Sequence, residues 1–228
     1  MKTTGGSDEA KRRAGDSAAA LVEGGTTVGL GTGSTAAHAI RRLGERVADG
    51  VDVVGVPTSF QSRELARNVG IPLRALDEVD RIDIAIDGAD QVAGFDLVKG
   101  GGAAHAHEKV IDSFAERFVV VVDPSKRVDV LSHPVPVEVL PAAHTVVARS
   151  VADAGGEATL RRAERKDGPV VTDNGNLVLD CDFGSIPDPD ALATTLDAVP
   201  GVVEHGLFVG LADELHVGTE TGVTVHER

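Results

Sequence analysis

The order of apolar and polar positions predicts alternating helices and strands over the first half of the chain. From Asp8 to Glu23 the small and apolar residues fall at helical spacing, with Ser7 placed as an N-cap and Gly24 just past the last turn. Ser34 to Ala48 predicts a second helix, with Ile40, Leu43 and Val47 on one face. Val51–Val56, Ile82–Ile86 and Phe118–Val122 are strand candidates apolar on both faces, as a parallel sheet covered by helices requires. A helix from Ser59 to Asn68 fits between them as a crossover, and the pattern describes an α/β core.

Beyond Lys126 the texture changes. Pro134, Pro136 and Pro141 punctuate an extended stretch, a helix is expected at His144–Ala154, and a hairpin turns at Asp173-Asn-Gly175. A helix at Asp190–Val199 then leads into the strand-like Val202–Val209. Residues from about 131 to 205 therefore read as a small α+β insertion, and neither internal repeats nor low-complexity segments interrupt the chain.

Three glycine-bearing stretches carry the candidate chemistry. Lys99-Gly-Gly-Gly-Ala-Ala-His-Ala-His-Glu108-Lys109 puts a lysine, a turn without side chains and a carboxylate into one strand-to-helix passage. Gly100, Gly101 and Gly102 let the main chain approach a ligand, while Lys99 offers a cation and Glu108 a base, which is what proton transfer beside a carbonyl needs. A triple glycine taken alone reads equally well as a flexible turn. Val28-Gly-Leu-Gly-Thr-Gly-Ser-Thr35 follows the β-prone Thr26-Thr27-Val28 and opens a helical pattern. Its backbone N–H groups, with the hydroxyls of Thr32, Ser34 and Thr35, suit an anion at a helix N-terminus. It lacks the Gly-Lys-Ser/Thr of a Walker loop and the third glycine of a dinucleotide fingerprint, so a phosphate monoester fits better. Ile82-Asp-Ile-Ala-Ile-Asp87-Gly-Ala-Asp90 is a strand ending in two carboxylates, at the edge where open α/β sheets bind ligands. Asp-Gly is also an ordinary turn dipeptide.

Together with Val56-Pro-Thr-Ser59 and Asp123-Pro-Ser-Lys126, these motifs resemble the ribose-5-phosphate isomerase family of the A type, in its order and with similar gaps, over nearly the whole chain. The resemblance implies that Glu108 is the proton-shuttling base, that Lys99 stabilises the developing oxyanion, and that Asp87 and Asp90 bind sugar hydroxyls and help ring opening. It implies a substrate site lined by Lys11, Thr32, Gly33, Ser34, Thr35, Asp87, Gly88, Ala89, Asp90, Lys99, Gly100, Gly101, Gly102 and Lys126. The fold it implies is α/β: a Rossmann-like parallel sheet core with a smaller α+β, ferredoxin-like inserted domain. Residues 1–130 plus 206–228 would form the catalytic domain and 131–205 the small one, the tail returning to the first sheet. Two positions depart from the family's pattern: Gln91 stands where Glu is usual after Asp-Gly-Ala-Asp, and His107 replaces an Arg before Glu108. His107 restores that positive charge only when protonated.

The formal net charge of −14 and sequence pI ≈ 4.9 argue against nucleic acid or an anionic membrane as partner. Only six of the 22 basic residues are Lys (2, 11, 99, 109, 126 and 166), four of them on or beside the motifs, so lysine is retained mainly where chemistry could use it. An acidic chain poor in lysine and aromatics suits a high-salt cytosol, where screening within a few Å relieves self-repulsion. No signal peptide or membrane-length apolar run is seen, and Cys181 is alone, so a cytoplasmic protein without disulfides is expected. Cys181 lies in the strand-like Leu177-Val-Leu-Asp-Cys181 and reads as a core residue rather than a nucleophile. The eight histidines show no ligand spacing, and His105 and His107 point to different helix faces. No metal and no cofactor is expected, because an enediolate route needs only a base, a cation and hydrogen-bond donors. The partners expected are a small-molecule sugar phosphate and further copies of the chain, as a dimer or tetramer. Two other readings stand beside the isomerase: another isomerase or deaminase of the superfamily, and a sugar-phosphate sensor. A sensor is expected to lack the base or to carry a DNA-binding segment, and this chain has Glu108.

Overall fold

A computed structural model describes residues 5–165 and 167–228. In chain order the elements are α1 (Asp8–Ala19), β1 (Thr26–Leu30), α2 (Ser34–Ala48), β2 (Val53–Pro57), α3 (Phe60–Asn68), β3 (Ile84–Asp87), β4 (Gln91–Ala93), β5 (Asp96–Val98), α4 (His105–Phe114), β6 (Phe118–Val122), β7 (Val135–Val139), α5 (His144–Asp153), β8 (Glu157–Leu160), β9 (Leu177–Asp182), α6 (Pro189–Asp197), β10 (Val202–His205), β11 (Leu207–Phe208), β12 (Glu214–Gly218) and β13 (Val223–Glu227). They form two compact units. The larger holds residues 5–89 with His107–Arg127 and Gly210–Arg228, and the smaller holds Asp90–Ala106 and Val128–Val209.

The larger unit is built on a six-stranded sheet ordered β13-β12-β6-β3-β1-β2, parallel throughout except for the antiparallel edge strand β13. Of the tail expected to return from Gly206 on, β12 and β13 join this sheet, while β11 does not. Every residue of β6 is buried, which explains the unbroken apolar run Phe118–Val122: helices cover both faces of a parallel sheet and leave no polar side. Ala14, Ala18 and Ala19 of α1 share a core with Ile40 and Leu43 of α2 and with Val28, Leu30, Ile84 and Ile86 of the sheet. Ser7 caps α1 by accepting from the Ala10 N–H at 3.2 Å. The helix stops at Ala19, four residues short of the sequence expectation, because the chain turns there to place Val22 in the core.

The smaller unit contains a four-stranded antiparallel sheet, β10-β7-β9-β8, and a three-stranded one, β11-β5-β4. The second sheet explains two departures from the sequence reading. Residues 90–106, assigned there with the α/β part, cluster with 128–209 because β5 pairs with β4 and β11. The single strand expected at Val202–Val209 is two strands in two sheets, hinged at Gly206, whose N–H donates to Pro136 O at 2.7 Å and whose carbonyl accepts from Lys99 N at 2.8 Å. The turn at Asp173-Asn-Gly175 forms as expected, and the fully buried Glu138 anchors it, one carboxylate oxygen accepting from Thr172 Oγ1 and from Asn174 and Asn176 Nδ2 at 2.8–3.0 Å.

Among the described residues no helix is long and apolar enough to cross a membrane. The charge of −14 has a consequence for stability. The screening length grows from about 3 Å at 1 M salt to about 30 Å at 0.01 M, so acidic side chains repel one another further as salt is removed. Melting temperature should therefore rise between dilute and molar potassium chloride. A flat profile by calorimetry would remove the case for salt adaptation without touching the chemistry.

Candidate active site

In the larger unit the candidate residues gather where parallel strands end. β1 runs into Gly31 and Thr32, β3 ends on Asp87, and β6 is followed by the short turn Pro124–Lys126. These three strands are neighbours, in the order β6-β3-β1. Asp87 is fully buried, and its Oδ1 accepts from the backbone N–H of Thr32 at 2.9 Å and of Gly88 at 2.6 Å. This carboxylate therefore shapes the Thr32 loop as well as facing the strand end. Gly31 is obligatory at the junction, since a Cβ there would lie 2.2 Å from Asp87 Oδ1.

The loop leads into α2 through Gly33, and no side chain caps that helix, an arrangement that suits an anion at its first turn. Ser34 is exposed and Thr35 nearly buried. Thr32 Oγ1 lies 2.8 Å from Thr58 Oγ1 and 2.6 Å from Ser59 Oγ, while Thr58 Oγ1 donates to Leu30 O at 3.1 Å. Lys126 is 8 % exposed, and Asp123 sets its turn by accepting from Ser125 N at 2.9 Å. Lys11 projects from α1, partly buried. Glu108 is 4 % exposed on the first turn of α4. That helix leads into β6, and just past its end Glu116 N–H donates to Ile82 O at 2.9 Å beside the start of β3, so its C-terminal end lies at the strands' amino side and its N-terminal turn at the other.

The smaller unit carries the rest of the set. Lys99 follows β5, is 2 % exposed, and holds its ammonium 5.2 Å from the centroid of the Phe208 ring on β11. Asp90 Oδ2 accepts from Gly101 N at 2.7 Å, which folds the glycine turn back onto the end of the Asp-Gly-Ala-Asp motif. Gly100 has φ 102° and is packed so closely that a Cβ would meet His105 Nδ1 at 2.7 Å. The turn is thus set tightly in place, in contrast to the flexible loop a triple glycine suggests on its own. Gly102 is exposed.

The sequence reading missed three kinds of residue: the Thr58 and Ser59 hydroxyls, visible only as part of a motif after β2; the Asp123 cap; and Arg161, whose Nη1 donates to Gly100 O at 2.9 Å. Cys181 stands as expected: burial, aided by the charge of Asp180, pushes its thiol up to about 12, which rules out a thiolate at neutral pH. Asp197, Glu204 and His205 place ligand atoms within 4.8 Å of one another, a cluster that sequence spacing did not show. Leu207 N–H donates to His205 Nδ1 at 3.2 Å, so the ring proton lies on Nε2, which faces Asp197 Oδ1 at 3.1 Å.

An uncapped helix start among hydroxyls suits a small dianion, and buried carboxylates at the adjoining strand end suit a polyol. This defines the class: an α/β enzyme acting on a sugar phosphate. The family model of ribose 5-phosphate isomerase A (phosphoriboisomerase A) matches residues 54–222. The chain is 68% identical over 240 residues to ribose-5-phosphate isomerase A of Halorubrum lacusprofundi, covering 100% of both. It is 69% identical over 221 residues to that of Haloarcula marismortui, covering 97% of this chain and 96% of the relative. Among solved structures, a D-ribose-5-phosphate isomerase in complex with phospho-erythronic acid superposes with TM-score 0.95 at 45% identity, over 97% of this chain and 99% of that one. The enzyme of Methanocaldococcus jannaschii gives 0.93 at 46%, with the same coverage. The chain belongs to the ribose 5-phosphate isomerase A family.

Proposed function

We propose that the chain interconverts ribose 5-phosphate and ribulose 5-phosphate through an enediolate, as a step of the pentose phosphate pathway. The observation that carries the mechanism is the buried carboxylate of Glu108 on the first turn of α4. Glu108 removes the proton from C2 of the open-chain aldose, the C–H electron pair becomes the C1–C2 double bond, and negative charge moves onto O1. A proton passes from O2 to O1, and Glu108 returns its proton to C1, leaving the ketone at C2. Lys99 stabilises the charged oxygen, Asp87 and Asp90 hold hydroxyls and assist ring opening, and the loop of Thr32, Gly33, Ser34 and Thr35 with Lys11 and Lys126 holds the phosphate. The ligand of the solved relative supports this assignment: phospho-erythronic acid carries a phosphate at one end and a carboxylate at the other, the charge pattern of an enediolate phosphate.

The halophilic archaeal relatives suit the acidic composition. A cytoplasmic setting and a dimeric or tetrameric assembly belong to the same proposal, and sedimentation measures the assembly. The reaction is tested by following aldose loss and ketose gain across a panel of aldose phosphates. No step above calls on a Lewis acid, so exhaustive chelation should leave the rate intact. Loss of activity on chelation, restored by one divalent ion, would overturn the proton-shuttle mechanism.

A further inference from the structure

The glycine turn is held from behind by one guanidinium. Arg161 follows β8, where its backbone N–H donates to Val178 O at 2.9 Å, and it is 9% exposed. Its Nη1 donates to Gly100 O at 2.9 Å and reaches Gly101 O at 3.3 Å. Its other edge meets Asp180 of β9 in a forked pair, Nε donating to Oδ2 at 3.0 Å and Nη2 to Oδ1. Burial works to raise the Asp180 carboxyl, but hydrogen bonds and charge from Arg161 outweigh it and hold the group below its ordinary value. The pair is therefore ionised, and Arg161, Asp180, Gly100 and Gly101 all belong to the smaller unit.

Two consequences follow from peptide geometry. Among the described residues there is no cis peptide bond, and in a trans peptide the C=O and N–H point in opposite directions. With the carbonyls of Gly100 and Gly101 both turned to the guanidinium, the N–H groups of Gly101 and Gly102 must face the other way. The Gly101 N–H is found there, on Asp90 Oδ2, and Gly102 beside it is exposed. A cation behind two aligned peptide dipoles also makes their N–H groups stronger donors. Stability alone accounts poorly for this arrangement, since a buried ion pair is often no better than apolar residues of the same volume.

We propose that Arg161 is a positioning residue for the isomerisation: acting through the carbonyls of Gly100 and Gly101, it keeps the N–H edge of the turn presented to the sugar oxygens. This rests on the reading of the turn as a substrate contact made above. A lysine keeps the charge but, with three donors on one atom, cannot reproduce the forked pair to Asp180 together with the contacts to both carbonyls. Arg161→Lys should therefore lower kcat by ~10- to 100-fold, the scale of a small misplacement of catalytic groups, with KM for ribose 5-phosphate changed less than about 3-fold. Inhibition by phospho-erythronate, whose carboxylate stands in for the charged enediolate, should weaken in step with kcat/KM. Asp180→Asn, which leaves Arg161 present but frees it from its anchor, should show the same split more weakly. A parental kcat in Arg161→Lys, or a loss confined to melting temperature or KM, would overturn the proposal. If Arg161→Lys does not fold, Asp180→Asn decides by the same split. An inactive parent enzyme would instead overturn the isomerase reading, so the two failures are distinguishable.

Discussion

Glu108→Gln is expected to lower kcat by at least ~10²-fold while leaving KM nearly unchanged. The substitution keeps the size and hydrogen-bonding reach of the side chain and removes the basic lone pair to which the proposed mechanism assigns proton transfer between C2 and C1. At 4 % exposure the carboxylate sits where bulk water does not readily replace it, so little background rate should remain. Carbon-bound hydrogen of the substrate should exchange with deuterated solvent in the parent enzyme and much more slowly in the variant, which separates loss of proton transfer from loss of binding. A variant that keeps near-parental kcat would place the base elsewhere, with Asp87, fully buried at the end of β3, next to be tested.

Free ribose should be turned over with kcat/KM on the order of 10³-fold below that of ribose 5-phosphate, about 4 kcal/mol of transition-state binding supplied by a group remote from the reacting carbons. The proposal above assigns that binding to the uncapped start of α2, the hydroxyls of Thr32 and Ser34, and the lysines Lys11 and Lys126. Lys126→Ala should act mainly on KM, because a lysine in the proposed role would hold the phosphate equally in the ground and transition states. Comparable turnover of the two sugars would sink the assignment of this loop, whatever the outcome at Glu108.

Much of this was legible locally. The helix Ser34–Ala48 has the bounds its periodicity predicts, and Phe118–Val122 is a strand from end to end, because a helix stripe and a doubly covered strand are written in neighbouring residues. Glu108 and Asp87 could be singled out because each stands within a few positions of a glycine-bearing motif. The pairing of β5 with β11, more than a hundred positions on, was not legible, because a three-residue strand carries too little pattern to reveal its partner.

The sequence by itself determined the family, the parallel sheet and the chemical identity of the proposed base, cation and phosphate loop, since each is carried by residues close together in the chain. Only the tertiary structure revealed how those groups are held. Thr58 and Ser59 meet Thr32 across 26 and 27 positions, Asp87 meets the Thr32 N–H across 55, and Arg161 reaches Gly100 across 61. A lone arginine after a strand looks like any solvated side chain until folding buries it against two carbonyls and a carboxylate. The partner that gives such a group its role is chosen by strand pairing, which local pattern does not encode.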